Sequence, residues 1–340
     1  TNNTANSNYA NQDSSGIFLA NSYYNELTNN TANLNTYGIY LSGSSNNILS
    51  NNNASSNNKT GIYLYSSSNY NNVTDNTANS NKKEGIYLGW VSNNTLINNT
   101  AYSNTLHGIH LQNSHNNTLI NNIANSNQQW DGIYLYDNCS ANYLINNTAA
   151  NNEIANNRIG FHLNKVSNNV LINNEAYNNS LYGFYLYSTS NNNLTNNEAY
   201  NNSHQGFMLE SSSYNNLTDN VAYNNTDGFY LSSNSNNNFL FNSRAVSNSQ
   251  HGFYASSDST GNRINSNIFC FNNQSGGNYY DVYDGDNNTL DNNFCETSNP
   301  NGLCEYSCSY LRINVTSPEN RTYTTSTIWF NVSTVSYTHL

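Results

Sequence analysis

Glu175 and Glu198 are the residues whose type and spacing point most directly to chemistry. Both sit in the phrase NNEAYNN, 23 residues apart. Two carboxylates held close together can cleave a glycosidic bond, one protonating the leaving oxygen and the other attacking or activating water. A second acidic group, DVYDGDNNTLD, carries Asp281, Asp284, Asp286 and Asp291 around Gly285. Oxygens gathered there could hold Ca2+. The spacing is not that of an EF-hand loop, and a solvated turn explains the group as well. No other cofactor is called for.

Four of the five cysteines cluster late in the chain. Cys270 and Cys295 lie 25 residues apart in matching contexts, NIFCFNN and NNFCETS, so they are expected either to pair or to stack as a column. Cys304 and Cys308 follow closely and could pair with each other. Four cysteines allow three connectivities, and sequence alone leaves the choice open. Such a cluster reads as a stapled end in an oxidising compartment. Zinc is the alternative, weakened by the lack of a C-x-x-C spacing. Cys139 is left over as a lone thiol.

His107, His110 and His115 fall close together, but the first two sit at positions of differing facing, so no convergent ligand set is expected. Glu153 and Arg158 lie in an insertion, AANNEIANNRIG, and Arg158 is one of only nine cations. Insertions carry function more often than scaffolds do, although a tolerated corner insertion is the simpler reading.

These residues need a scaffold, and a repeat supplies it. A signature of Gly, then Ile or Phe, then usually Tyr, then Leu recurs eleven times between Gly16 and Gly252, at intervals of 22 to 28 residues. One unit, from Gly85, reads GIYLGWVSNNTLINNTAYSNTLH. It holds three short segments separated by polar corners. Within GIYL the apolar residues alternate with the strand period, so Ile86 and Leu88 point one way and Tyr87 the other. A unit this small cannot bury its own apolar face, but stacked copies can. Stacking aligns one column from Ile17 through Ile133 to Phe253, another from Leu19 to Leu231, and a third of alanines from Ala32 to Ala245. Coils about 4.8 Å apart would build a rod about 55 Å long.

Composition agrees. Asn supplies 84 of 340 residues, charged residues only 9%, and there are 2 prolines. Asn tolerates the left-handed backbone of sharp corners, and its amide can bond the Asn one coil above. Pairs such as Asn98-Asn99, Asn146-Asn147, Asn173-Asn174 and Asn196-Asn197 fall at one such corner. Helical architecture is disfavoured by the abundance of weak helix formers. Disorder is answered by the strict placement of the apolar residues. A leucine-rich repeat would want more leucines and a helical segment per unit. The net charge of -11 excludes a nucleic-acid stripe, and no apolar run is long enough to span a membrane.

The GIYL…NN-x-L-x-NN-x-A-x-x-N pattern resembles the parallel β-helix repeats of the NosD-like, pectin-lyase-like superfamily, especially Asn-rich versions in archaeal cell-surface proteins. The resemblance covers about residues 1–300. It implies an all-β, right-handed, single-stranded parallel β-helix of eleven or twelve coils, the hand agreeing with the general rule for parallel crossovers. It says little about function, because that superfamily holds lyases, hydrolases, copper-site accessory proteins and plain surface repeats. If the chain is an enzyme, a polysaccharide lyase or hydrolase centred on Glu175 and Glu198 is implied. No third acid and no Arg is expected in their column, which favours an incidental pair.

Domain boundaries follow from texture. Residues 1–310 read as the β-helix, with the Cys-rich end at about 268–310. Gly277 with NYYDVY is expected to start a twelfth rung. Residues 311–340 alternate like strands and resemble a truncated start of an immunoglobulin-like sandwich. The opening TNNTANSN corresponds to mid-repeat and reads as a fragment boundary.

The most suggestive functional feature is aromatic. Outward positions carry Tyr63, Tyr87, Tyr134 and Tyr185, flanked by Tyr65, Tyr136 and Tyr187; a separate column holds Tyr177, Tyr200 and Tyr223. Exposed flat rings would serve as platforms for sugars, and stacked tyrosines would also stabilise a sheet. The expectation is an extracellular, cell-surface spacer or adhesin that contacts polysaccharide or envelope glycan, with sequons such as those at Asn72, Asn98, Asn193 and Asn216 open to glycosylation. Self-association through open coil ends is a further expectation.

Overall fold

The computed structural model describes residues 1–8, 14–152, 158–285 and 287–308. The expected sandwich segment at 311–340, Glu153 and Asp286 lie outside the described residues. The described chain winds as a parallel β-solenoid of about twelve turns with no α-helix.

Each turn contributes one strand to each face. The GIYL segments form a 13-stranded parallel sheet from Ser15–Ala20 to Ser298–Asn299, and the following Leu-centred segments form a 12-stranded second sheet. The alanine segments form a six-stranded third sheet, continued toward the N-terminus by single bridges that link Thr4, Thr31, Asn53, Thr77, Thr100, Ile123 and Thr148. Registry is as the repeat requires. Ile86 pairs with Ile109 and Leu88 with Leu111. The columns are dry: Ile86, Leu88, Leu96 and Ala101 are all 0% exposed. Phe161, Phe184, Phe207 and Phe229 stack face to face inside, with centroids 4.8–4.9 Å apart.

The corners explain the Asn content. In each Asn pair the first residue makes the turn and the second makes the ladder. Asn98 has φ 55° and is exposed, whereas Asn99 is buried. Asn76 donates to Asn99 Oδ1 through both its backbone N and its Nδ2, at 3.0 Å each, and Nδ2 also donates to the Leu49 carbonyl at 2.8 Å. Two further ladders run through Asn94–Asn117–Asn142 and Asn81–Asn104–Asn127. They satisfy backbone groups that the corners remove from the sheets. The signature glycine is a close-approach position: a Cβ on Gly85 would lie 2.7 Å from both the Ala101 Cβ and the Gly108 carbonyl.

The C-terminal end departs from the expectation in two ways. The twelfth rung starts at Val282, which pairs with Phe253, and not at Gly277. Asp281 stands where the glycine would be. Its Oδ1 accepts both amides of Asn272 at 3.0 Å, and its Oδ2 accepts Glu296 N at 2.9 Å. A carboxylate only accepts, so the third ladder stops there.

The cysteines pair as Cys270–Cys308 and Cys295–Cys304, neither Cys270–Cys295 nor Cys304–Cys308. Ile268 bridges Phe294, so Cys295 aligns with Phe269 and faces the core, while Cys270 is one residue out of step and faces the other way. Strand alternation thus separates two cysteines that sequence context places together. Cys139 is free and buried, and burial pushes its thiol up to about 12.

Candidate ligand-binding face of the first sheet

The outward side of the first sheet carries one continuous row. Strand register aligns Tyr40, Tyr63, Tyr87, His110, Tyr134, His162, Tyr185, Met208, Tyr230 and Tyr254. The rings pack on one another: Tyr40–Tyr63 at 4.7 Å and 19°, Tyr230–Tyr254 at 4.3 Å and 11°. Their faces are largely taken by their neighbours, so the row offers edges and hydroxyls rather than the flat platforms expected from sequence. Tyr65, Tyr136 and Tyr187 flank the row, half-buried. Burial raises the phenols of Tyr63, Tyr87, Tyr134 and Tyr185 well above the usual tyrosine range.

At the rungs of Tyr87, His110, Tyr134 and His162 the row becomes polar. His162 Nδ1 lies 2.8 Å from Asp131 Oδ2, and Asp131 Oδ1 accepts the Ile159 amide at 3.2 Å. Asp131 N donates to His107 Nδ1 at 3.2 Å, so that nitrogen carries no proton in this bond. His107 and His110 have ring centroids 4.9 Å apart and both contact Tyr134, at 4.6 and 5.0 Å. Two positions of supposedly different facing are therefore brought together: His107 precedes the glycine, where the chain rounds the corner, and its ring folds onto the outward face. His115 does not join them; its Nδ1 meets Ser140 Oγ at 2.8 Å on another edge. Burial holds the His107 and His110 imidazoles low, His110 at about 3. Neighbouring His110 and His162 push His107 further down.

Two exposed tryptophans flank this centre. Trp90, 48% exposed, leaves the end of strand Ile86–Gly89; Trp130, 51% exposed, approaches the start of strand Ile133–Tyr136. They stand on opposite edges of the first sheet. Trp90 meets the edge of Tyr65 at 5.5 Å, and Trp130 meets His107 at 5.5 Å.

Glu175 and Glu198 are adjacent in register on the third sheet, as the repeat demands. Each carboxylate is engaged by a tyrosine from the next rung. Tyr200 donates to Glu175 Oε1 at 2.6 Å. Tyr223 is raised to about 12 by burial and by its hydrogen bond to Glu198. Tyr177, Tyr200 and Tyr223 stack at 4.8 and 4.9 Å, nearly parallel. Arg244 does occupy the same column, two rungs beyond Glu198 through Val221, which corrects the expectation of no arginine there.

Two family models match the chain: "Periplasmic copper-binding protein (NosD)" over residues 1–154 and "Right handed beta helix region" over 129–269. Both agree with the parallel coils, and the chain is a parallel β-helix similar to these two families over residues 1–269. Among solved β-helix structures it is similar to a point mutant of the periplasmic alginate epimerase AlgG, at 14% identity and TM-score 0.60, covering 74% of this chain and 72% of that one. It also resembles the Azotobacter vinelandii mannuronan C-5 epimerase AlgE6 A-module (14%, TM-score 0.53, covering 83% and 88%) and the Dettilon tailspike protein gp208 (13%, TM-score 0.52, covering 80% and 60%). At these identities the likeness is one of fold. No curated protein sequence matches the chain.

The NosD description raises copper, and the described residues do not form a group that would hold it. Among the described residues no three His, Cys, Asp or Glu side chains converge as a metal-holding group. His107 and His162 each commit Nδ1 to Asp131. The described carboxylates of the acidic turn lie apart as well. Asp281 is spent on amides, Asp284 is buried and accepts from Asn288, and Asp291 is exposed on strand Thr289–Asp291. Among the described residues no helix is long and apolar enough to cross a membrane.

Proposed function

We propose that this β-helix is an extracellular, surface-exposed rod that binds polysaccharide across the outward face of its first sheet, at the rungs of Tyr87, His110, Tyr134 and His162. The observation that carries the reading is the placement of Trp90 and Trp130. They are large exposed rings on opposite edges of one polar centre, and tryptophan anchors dominate many binding surfaces. Structural relatives described as alginate or mannuronan epimerases make a glycan a natural ligand for this fold. Two disulfides fit an oxidising compartment outside the cytoplasm. A role as spacer or adhesin follows from a stiff rod with a single lateral binding face. A panel of soluble glycans, followed by tryptophan fluorescence, tests it. At least one glycan should bind, and Trp90→Ala and Trp130→Ala should each weaken it about tenfold or more. Absence of any binding, or indifference to both substitutions, removes the proposal.

A second reading is favoured by one contact, that of His162 with Asp131. A histidine oriented by a carboxylate is suited to take a proton from a bound sugar. Incubating the chain with the glycan it binds, and assaying both reducing ends and unsaturated products, separates a binder from a lyase or hydrolase. Unchanged glycan retires the enzymatic reading.

A further inference from the structure

The fold sorts the sequons of this chain by exposure. Among the described residues every N-x-[ST] acceptor is exposed or half-buried, and none is a buried ladder asparagine. The ladders of Asn94 and Asn99 give the physical reason. Two places after each of their buried asparagines stands an inward core residue, as Leu96 follows Asn94 and Ala101 follows Asn99, both 0% exposed. A Ser or Thr there would bury a hydroxyl. Acceptors are left to the outside of the coil.

Three of these acceptors, Asn72, Asn193 and Asn216, lie on strands of the second sheet. Strand alternation puts each on the same outward face as the Thr two places on. The Thr hydroxyl donates to the Asn Oδ1: Thr74 to Asn72 at 2.7 Å, Thr195 to Asn193 at 3.2 Å and Thr218 to Asn216 at 3.1 Å. The corner sequon of Asn98 is spread over two faces instead, its acceptor at φ 55° and its Thr100 bridging on the third sheet. We propose that the protein carries N-linked oligosaccharides on the outward face of its second sheet, at Asn72 and at one of Asn193 and Asn216 per molecule. The inference rests on the extracellular placement in the proposed function and is independent of the ligand named there.

In the transfer, Asn Nδ2 attacks the anomeric carbon of an oligosaccharide carried as a lipid phosphate ester. The new N–C bond replaces the C–O bond to phosphate, the lipid phosphate leaves with the electron pair, and the amide proton passes to a base of the external transferase. Asn193 and Asn216 occupy adjacent rungs, and Asn216 Nδ2 donates to Asn193 Oδ1 at 3.4 Å. A branched oligosaccharide is wider than a rung of about 4.8 Å, so one of the two excludes the other. Asn72 has no such rival, lying in register between Ile48 and Thr95. Between the two positions the same face turns apolar. Ile97, Ile120, Ile145 and Ile172 follow one another from Thr74 to Thr195, and Tyr143 beside them is 47% exposed. Such a stretch invites association, and hydrophilic chains anchored at both ends would cover it. Among the described residues no acceptor lies on a first-sheet strand, so the proposed ligand face stays bare.

Glycopeptide mass spectrometry on the protein isolated from the cells that make it tests the inference. Fragmentation should locate an oligosaccharide on Asn72, and on Asn193 or Asn216 but never on both in one molecule. Thr74→Ala, made in the same cells, should lose the Asn72 oligosaccharide, and Thr74→Ser should keep it, with the circular-dichroism spectrum unchanged in both. A native chain of bare polypeptide mass, an unmodified Asn72, or a Thr74→Ala variant that stays modified at Asn72 overturns the proposal. Asn193 and Asn216 modified together overturns the exclusion. Ligand binding is read separately, by the fluorescence titration. A bare native chain that binds a glycan overturns this inference alone, and a modified chain that binds none overturns only the ligand reading. A chain retained in the cytoplasm overturns both.

Discussion

His162 Nδ1 and Asp131 Oδ2 meet at 2.8 Å, although 31 residues separate them in the chain. The corner before one glycine and the strand of the following rung are thereby locked together. Asp131 also accepts the Ile159 amide. Replacing it with Ala leaves an imidazole and a buried amide without their acceptor. Asp131→Ala should cost about 2–4 kcal/mol, read as a lowered denaturant midpoint. Asp131→Asn, which keeps the shape and one acceptor, should cost less.

Stability should fall on acidification. Burial keeps His107 and His110 neutral in the folded chain, with His110 at about 3, whereas an unfolded imidazole protonates near 6.5. Because the folded values are depressed, the unfolded state binds more protons below about pH 6.5, and stability is lost from there down toward pH 3. Each histidine contributes a slope of up to about 1.4 kcal/mol per pH unit. Thermal melts from pH 7.5 to 4 measure it, and His110→Phe should make the profile shallower. A profile flat between pH 6.5 and 4.5 would contradict the assignment of these rings as buried and neutral.

The two members of an Asn pair should respond unequally to substitution. Asn122 is buried in the ladder, and its Nδ2 donates to the Leu96 carbonyl at 3.0 Å and to Asn147 Oδ1 at 3.0 Å. Asn122→Ala should cost about 2–4 kcal/mol, since its partners above and below lose their bonds. Asn121 is exposed at φ 55°, a conformation glycine adopts freely. Asn121→Gly should change stability by less than about 1 kcal/mol.

Peptide mapping without reduction should recover Cys270 linked to Cys308 and Cys295 linked to Cys304. A Cys270–Cys295 peptide would mean that the last turns are in a different register. Alkylation of the native chain should spare Cys139, whose thiol is buried and shifted upward to about 12.

The Ile, Leu and Ala columns were legible in the sequence because every rung repeats them and the period fixes their facing. The Asn ladders were legible for the same reason. What escaped was whatever departs from the repeat. His110 and His162 replace tyrosines in the outward row, one by one, and carry no signature of their own. His107 and Asp131 occupy the pre-glycine position, whose facing a strand period does not give. The disulfides escaped because matching contexts suggest matching positions, and a one-residue slip reverses the facing. Platform geometry for the tyrosines escaped too: sequence places rings outward but does not say that they turn their faces to each other.

The central claim is that the polar break in the aromatic row is where the ligand sits. A crystal structure of the chain with the tightest-binding oligosaccharide from the panel addresses it most directly. Density for a sugar between Trp90 and Trp130, in contact with His110 or His162, is the result expected. Sugar bound instead beside Glu175 and Glu198 on the third sheet, with the first-sheet face bare, would contradict it.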